Sequence, residues 1–186
     1  MLGGVSVTKA KGDELKKIRS SIGMLFQHNA LFDFMTVGQN VMFPLTQRKV
    51  PVEEARERAQ RRLEMVDLPK VFDKFPNQLS GGMRKRVGVA RAIIAGPEFV
   101  LYDEPTAGLD PVTSSKIFSM LRREQREGNR TVITISNDID NLLKYVDQVA
   151  MLHKGKLLYA GDPSQVNDAK DPAVRQFFRG EIEGPL

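Results

Sequence analysis

The chain has 186 residues, enough for one domain and tight for two, and its 41% hydrophobic content supports an ordinary core and excludes a disordered tail. The absence of cysteine excludes a disulfide scaffold, a thiolate metal site and a thiol nucleophile, and two histidines, His28 and His153, are too few for a histidine-rich metal centre. A formal charge of +5 permits an anionic partner, whether nucleotide, membrane surface or nucleic acid, without choosing among them.

The opening Met1–Val5 has neither the basic flank nor the apolar stretch of a signal peptide, and later apolar runs such as Phe99–Tyr102 are too short to span a bilayer. A soluble, cytoplasmic chain is therefore expected. Val5–Thr8 alternates and predicts a short strand, Asp13–Ser20 a short helix with Leu15 and Ile18 on one side, and Ile22–Phe26 an apolar strand ending at Gln27. An unusually apolar loop follows, with Ala30, Leu31, Phe32, Phe34, Met35 and Val37. From Val37 to about Asp67 the texture is helical, with Val52, Ala55, Ala59, Leu63 and Val66 at helical spacing behind Pro51. Ser80-Gly81-Gly82 opens a second helix carrying Met83, Val87, Ala90 and Ile94 on one face, stopped by Gly96-Pro97. Phe99–Tyr102 predicts a buried strand running into Asp103-Glu104, Pro111–Glu127 a helix, Thr131–Ile135 a second buried strand, and Ile139–Val146 a helix. Val149–Leu152, Lys154-Gly155 and Leu157–Tyr159 read as a hairpin, and Ala173–Phe178 as a last helix. Strands and helices alternate around apolar strands, so the fold class is α/β.

Two stretches carry chemistry. Leu79–Met83 places a hydroxyl and two glycines at a helix N-terminus, where unpaired N–H groups and the helix dipole favour an anion; the same turn equally serves as a plain N-cap. Phe99–Pro105 runs four apolar residues into two carboxylates at the carboxyl end of a strand, where open α/β sheets place ligands. One carboxylate can hold Mg²⁺ and its neighbour can orient an attacking water; a solvated acidic turn is the alternative. The runs Arg84–Arg86 and Arg122-Arg123 could touch nucleic acid, but aromatic residues make up only 7% of the chain and do not interleave with them, so a solvated helix face is expected and no nucleic-acid partner.

Taken together and in order, these elements resemble the nucleotide-binding subunit of ABC transporters. Leu79–Met83 matches that family's signature, Phe99–Glu104 its Walker B strand, Ala107-Gly108-Leu109-Asp110 its D-loop, and Gln27 its Q-loop. The interval from Gln27 to Ser80 is too short, and too poor in heptads, for the long coiled coil of chromosome-maintenance ATPases. A narrower likeness, in Phe26–Asp33 with Asn40-Val41 and in Val174–Gly180 with Gly184-Pro185, is to the ATPases of Mla/Mce-type phospholipid transporters.

The resemblance implies an α/β P-loop NTPase-like core sheet with a helical subdomain: residues 1–36 a partial core with the Q-loop, 37–95 the helical subdomain with the signature, and 96–186 core with Walker B, D-loop and C-terminal hairpin. It implies ATP and Mg²⁺ as cofactors, with Asp103 and Gln27 at the metal, Glu104 as the catalytic group positioning water, and Ser80, Gly81 and Gly82 closing over ATP held by a second ATPase subunit. Asp110 would sit at the dimer seam. The apolar loop Ala30–Val37 and the helical insert would dock a transmembrane permease subunit, which places the chain at the inner face of the cell membrane.

Two departures from the pattern stand out. No Gly-x-x-x-x-Gly-Lys-Ser/Thr occurs in the 186 residues, so the chain is expected to be truncated upstream of Gly4–Val7, by fragmentation, gene splitting or decay, or as a genuine short form. Asn137 stands where the family has its switch histidine. Weak or absent hydrolysis by this chain alone is expected on both counts. A non-catalytic homologue acting as a structural or regulatory partner is the alternative.

Overall fold

Capping side chains mark the starts of several of the helices. In the computed structural model, which describes Leu2 and residues 4–186, helix α1 (Gly12–Ser20) buries Ile18 and leads into strand β1 (Ile22–Leu25). Helix α2 (Val37–Thr46) starts at a capping box: the Thr36 hydroxyl accepts from the Gln39 N–H, and the Gln39 side chain accepts from the Thr36 N–H. Helix α3 (Val52–Met65) buries Ala55, Ala59 and Leu63. Val52, grouped with them by spacing, is 60% exposed, because it is the first residue after Pro51 and precedes the packed stripe. Helix α4 (Gly81–Ile93) is capped by Ser80, strand β2 (Phe99–Asp103) follows, and helix α5 (Pro111–Glu127) is capped by Asp110 with Pro111 at its first position. Strand β3 (Thr131–Ile135) completes the sheet.

The strands lie parallel in the order β1-β2-β3, with Leu25 beside Tyr102 and Asp103 beside Ile135. Parallel pairing sends all three carboxyl ends to one edge. The residues expected as a strand at Val5–Thr8 form turns instead, with the Ser6 carbonyl accepting from the Lys9 and Ala10 N–H groups. Four alternating residues do not hold a strand without a ladder to join, and among the described residues this segment makes only a single Leu2–Val5 bridge.

Register divides the sheet into two unlike faces. Leu25, Val100 and Tyr102 are buried in one cluster with Val87, Ile93, Ile117 and Leu121 of α4 and α5. On the other face, Met24, Ile133 and Ile135 are 37%, 58% and 63% exposed. Thr131–Ile135 is therefore an edge strand with one open apolar face, not the strand buried on both sides that its composition suggests.

Close approach between α4 and β1 depends on two glycines. A Cβ at Gly23 would overlap the Ala92 carbonyl, and one at Gly88 would stand 2.5 Å from Leu25 Cδ1. Between α3 and α5 the tie is ionic. Glu124, 1% exposed, accepts from Arg62 Nη1 at 2.9 Å, while Arg130 Nη1 donates to the Glu124 carbonyl at 2.9 Å.

The chain folds as two compact units, Met1–Asn137 and Asp138–Leu186. The second comprises helix α6 (Ile139–Tyr145), the antiparallel hairpin of β4 (Val149–His153) and β5 (Lys156–Gly161), and helix α7 (Pro172–Arg179). The Lys154-Gly155 turn has φ of 46° and 75°, the left-handed pair that fits the twist of a hairpin. Met151, Ala169 and Val174 form the small core of this unit. Among the described residues no helix is long and apolar enough to cross a membrane.

Removing the Glu124 carboxylate leaves the Arg62 guanidinium, largely withdrawn from water, without its partner, while Arg130 keeps its bond to the main-chain carbonyl. Glu124→Ala is expected to destabilise the chain by about 3 kcal/mol in urea unfolding. An unchanged midpoint would show that the pair contributes nothing.

Candidate functional site

Each strand of the sheet delivers polar residues to the shared carboxyl edge. Gln27 lies two residues past β1, Asp103 is the last residue of β2 with Glu104 next, and Asn137 lies two residues past β3. Gln27 and Asn137 are exposed; Asp103 and Glu104 are half-buried.

Glu104 sits in an unusual backbone state. Its φ is 47°, a left-handed conformation that a long side chain adopts only at a cost of about 1–3 kcal/mol. Its N–H donates to the Ile135 carbonyl at 2.9 Å, so the β2–β3 ladder continues one residue past Asp103 and fixes that turn. Glu104 Oε2 is buried and accepts no hydrogen bond among the described residues. A carboxylate oxygen withdrawn from water without a donor is costly, and it is where a donor such as an oriented water is needed.

The serine-glycine turn opens α4. Ser80 is exposed, and its hydroxyl accepts from the Met83 N–H at 3.3 Å, so it caps the helix. A Cβ at Gly82 would stand 3.0 Å from Thr113 Cγ2, and one at Gly81 3.4 Å from Leu109 Cδ2. The start of α4 thus lies against Leu109 and Thr113, which flank Asp110 in the chain, and the contact is tight at Gly82. Asp110 is exposed, and its carboxylate accepts from the Thr113 N–H at 2.9 Å; bonds from the Thr113 side chain and backbone hold it below the usual carboxylate range.

Three residues to which the sequence reading gave no role in the site hold the loops around this edge. Lys85, 4% exposed, donates from Nζ to the Gln27 carbonyl at 2.5 Å and to the Glu104 carbonyl at 2.8 Å. Arg91, further along α4, donates to the carbonyls of Asn29 and Ala30, both at 2.7 Å. Those two residues have φ of 63° and 49°, so the cation holds a turn that the backbone resists. Asn40, fully buried, binds the N–H and carbonyl of Phe32 and the carbonyls of Met35 and Thr36.

The expected solvated basic face is therefore corrected for Arg84–Arg86, where Lys85 is buried and its two neighbours are half-buried, whereas Arg123 stays exposed. Arg84 donates to the Leu79 carbonyl, Arg86 to those of Val66 and Asp67, and Arg123 to that of Met65, so these cations close loop and helix ends. One sequence signal pointed at Lys85: it lies three and seven residues before Gly88 and Ala92, on the stripe that faces β1.

The apolar loop divides in two. Phe32 packs against Phe43 with ring centroids 4.9 Å apart, and Val37 is fully buried, whereas Phe34 is 76% exposed.

The ABC transporter family profile matches residues 2–107. The chain belongs to the ABC transporter family. It is 36% identical over 181 residues to the methionine import ATP-binding protein MetN 2 of Bacillus anthracis, an alignment covering 97% of this chain and 53% of that relative. It is also 36% identical over 182 residues to the glycine betaine/proline betaine transport system ATP-binding protein ProV of Escherichia coli (strain K12), covering 97% and 46%. The chain thus spans about half the length of these curated relatives.

Among solved structures, the ATP-binding cassette MJ0796 bound to ADP and Pi superposes with a TM-score of 0.78 at 32% identity, over 87% of this chain and 72% of that one. CbiO1 from Clostridium perfringens, part of the ABC transporter complex cbiONQ, gives 0.82 at 32% identity, over 91% and 68%. The fold is therefore the α/β fold of ABC ATPases, as its motifs imply. The curated relatives named here carry methionine and betaine in their names, not phospholipid.

Ser80→Ala in the ABC chain is expected to lose about 1 kcal/mol of stability with its cap, and Ser80→Asp to restore it, read by thermal unfolding. Equal melting of all three would remove the capping role.

Proposed function

We propose that this chain is the ATP-binding and ATP-hydrolysing part of a transporter, working as one of two ATPase subunits on a transmembrane permease at the inner face of the membrane. The single observation that carries this reading is Glu104. Its carboxylate keeps one buried oxygen without a donor, directly after the strand-terminal Asp103 and at the edge where Gln27 and Asn137 also emerge. This supports reading Glu104 as the acceptor that orients water beside a ligand.

The residues present fit Mg²⁺. Asp103 offers hard oxygen donors and Gln27 an amide oxygen, and no cluster of three or more His, Cys, Asp or Glu able to hold a metal occurs among the described residues. Mg²⁺ is commonly held in this way, by one or two carboxylates with phosphate and water completing the shell. When bound with ATP, the ion would supply charge neutralisation at the phosphates. Asp103 and Gln27 would hold it, Glu104 would take the proton of the attacking water, and Ser80, Gly81 and Gly82 would present the α4 N-terminus to a phosphate held by the second subunit. Asp110 would lie at the seam between subunits. The 186 residues contain no P-loop, so the backbone cradle for the bound phosphates comes from polypeptide outside them. Phe34 and the helical segment 37–95 offer the exposed apolar and helical surface on which a permease would dock.

The proposed cargo is phospholipid. It is supported by the likeness of Phe26–Asp33 and Val174–Gly180 to Mla/Mce-type ATPases, and the small solutes in the relatives' names are its competitors. ATPase activity of the assembled transporter stimulated by phospholipid vesicles, and not by methionine or betaine, is the expected result; the reverse replaces the cargo.

A second reading is favoured by Asn137, whose amide is shorter than a histidine ring and carries no charge: the chain acts as a non-catalytic partner subunit. One experiment separates the two. Joined to a segment that bears a P-loop, the parent is expected to hydrolyse ATP and Glu104→Gln to lose about a hundredfold or more of kcat while still binding nucleotide. Asn137→His is expected to raise the rate. Turnover unaffected by Glu104→Gln would remove the general-base assignment, and no turnover in any combination would leave the non-catalytic reading standing.

A further inference from the structure

Lys85 is a deeply buried ammonium in the part of the molecule where the site elements meet, and its bonding is asymmetric. A lysine in a core is commonly paired with a carboxylate. Here the Nζ donates to two main-chain carbonyls, Gln27 at 2.5 Å and Glu104 at 2.8 Å, which come from the ends of two different strands. Its own backbone belongs to a third element, α4, one turn in from Ser80 and the two glycines.

A carbonyl accepts well from any amide, so neither loop needs a charged donor for itself. What one ammonium provides is a shared donor: both oxygens must lie within hydrogen-bond distance of the same atom. The Glu104 turn is fixed to β3 by its bond to the Ile135 carbonyl, but that bond does not reach the Gln27 loop. Leu25 is the last residue of β1 in the ladder with β2, so Gln27 lies beyond the ladder. The left-handed Glu104 leaves the strand direction at that point. Burial opposes the charge on the ammonium, while the carboxylates of Glu104 and Asp103 stabilise it.

We infer that Lys85 is a positioning residue: through its two carbonyl bonds it sets the separation of the Gln27 and Asp103-Glu104 loops and locks both to the start of α4, so that the three elements move as one body. Arg91 extends the same clamp along α4 to Asn29 and Ala30. This inference rests on the reading of Gln27, Asp103 and Glu104 as one site, but its structural content does not require nucleotide.

The test is hydrogen–deuterium exchange on the 186-residue chain with Lys85→Met, which keeps the stem and removes the donors, and Lys85→Gln, which keeps a shorter uncharged donor. Three amides report on the two loops: Asn29, bonded to the Phe26 carbonyl; Glu104, bonded to that of Ile135; and Ala107, bonded to that of Glu104. In Lys85→Met, peptides spanning 26–31 and 103–107 are expected to exchange together, about tenfold or more faster, while α5 and the β4–β5 hairpin keep their protection. Lys85→Gln is expected to recover part of the protection in both segments. Faster exchange in only one segment, or in neither, overturns the inference. So does equal loss of protection throughout in both variants, which would make Lys85 a general stability residue. If Lys85→Met alone unfolds, Lys85→Gln decides by the same two-segment criterion. Adding Mg²⁺ and ATP to the wild-type chain joined to a segment that bears a P-loop reports separately on the nucleotide reading. No protection there with coupled loops in the apo chain would defeat that reading and leave the clamp intact.

Discussion

The seating of α4 on β1 is the constraint on which the other features rest. A helix that packs at ordinary distance on a strand leaves a layer of side chains between them. Gly23 and Gly88 remove that layer, since a Cβ at either position would collide with Ala92 or Leu25. The consequence is reach. With α4 pressed this close, the Lys85 and Arg91 side chains span from the helix to the main chain beyond β1, and Lys85 continues to the main chain beyond β2. A wider interface would place both cations in a layer of apolar side chains without carbonyl partners, an expensive position for an ammonium.

Strain and its compensation sit on opposite sides of that interface. Asn29, Ala30 and Glu104 occupy left-handed backbone conformations that L-residues avoid. Each is bonded at its carbonyl by a cation of α4. Backbone conformations of this kind persist where the surroundings over-determine them, and they are found where a side chain must be aimed rather than merely packed. Glu104 illustrates the result: its N–H extends the sheet ladder, its carbonyl is clamped, and its carboxylate oxygen is left for something outside the fold.

Much of this was legible in the sequence, and the reasons are specific. Ser80, Asp110 and Pro111 announce their helices by capping chemistry, so α4 and α5 begin where they are expected. Phe99–Asp103 is a strand by its apolar run and its polar end. The Lys154-Gly155 turn marks its hairpin. What was not legible depended on partners far away in the chain. Thr131–Ile135 has the composition of a fully buried strand, but burial belongs to the layer that covers it, and Ile133 and Ile135 lie on the open face. Lys85 sits in a run, Arg84–Arg86, whose composition says solvent; its burial follows from which face of α4 meets β1, a fact that Gly88 and Ala92 carry and a charge count does not. Val5–Thr8 fails for the converse reason, since alternation proposes a strand and only a neighbour can accept it.

The open sheet face and the closed site edge follow from one arrangement. In a parallel sheet, residues that share a face alternate with residues that share the other, so the same register that gathers Leu25, Val100 and Tyr102 under α4 and α5 turns Met24, Ile133 and Ile135 outward. Parallel direction, in turn, is what brings Gln27, Asp103 and Asn137 to a common edge. An apolar face of this kind is stable in water only at a cost in exposed area, and further polypeptide laid on it would gain that area back.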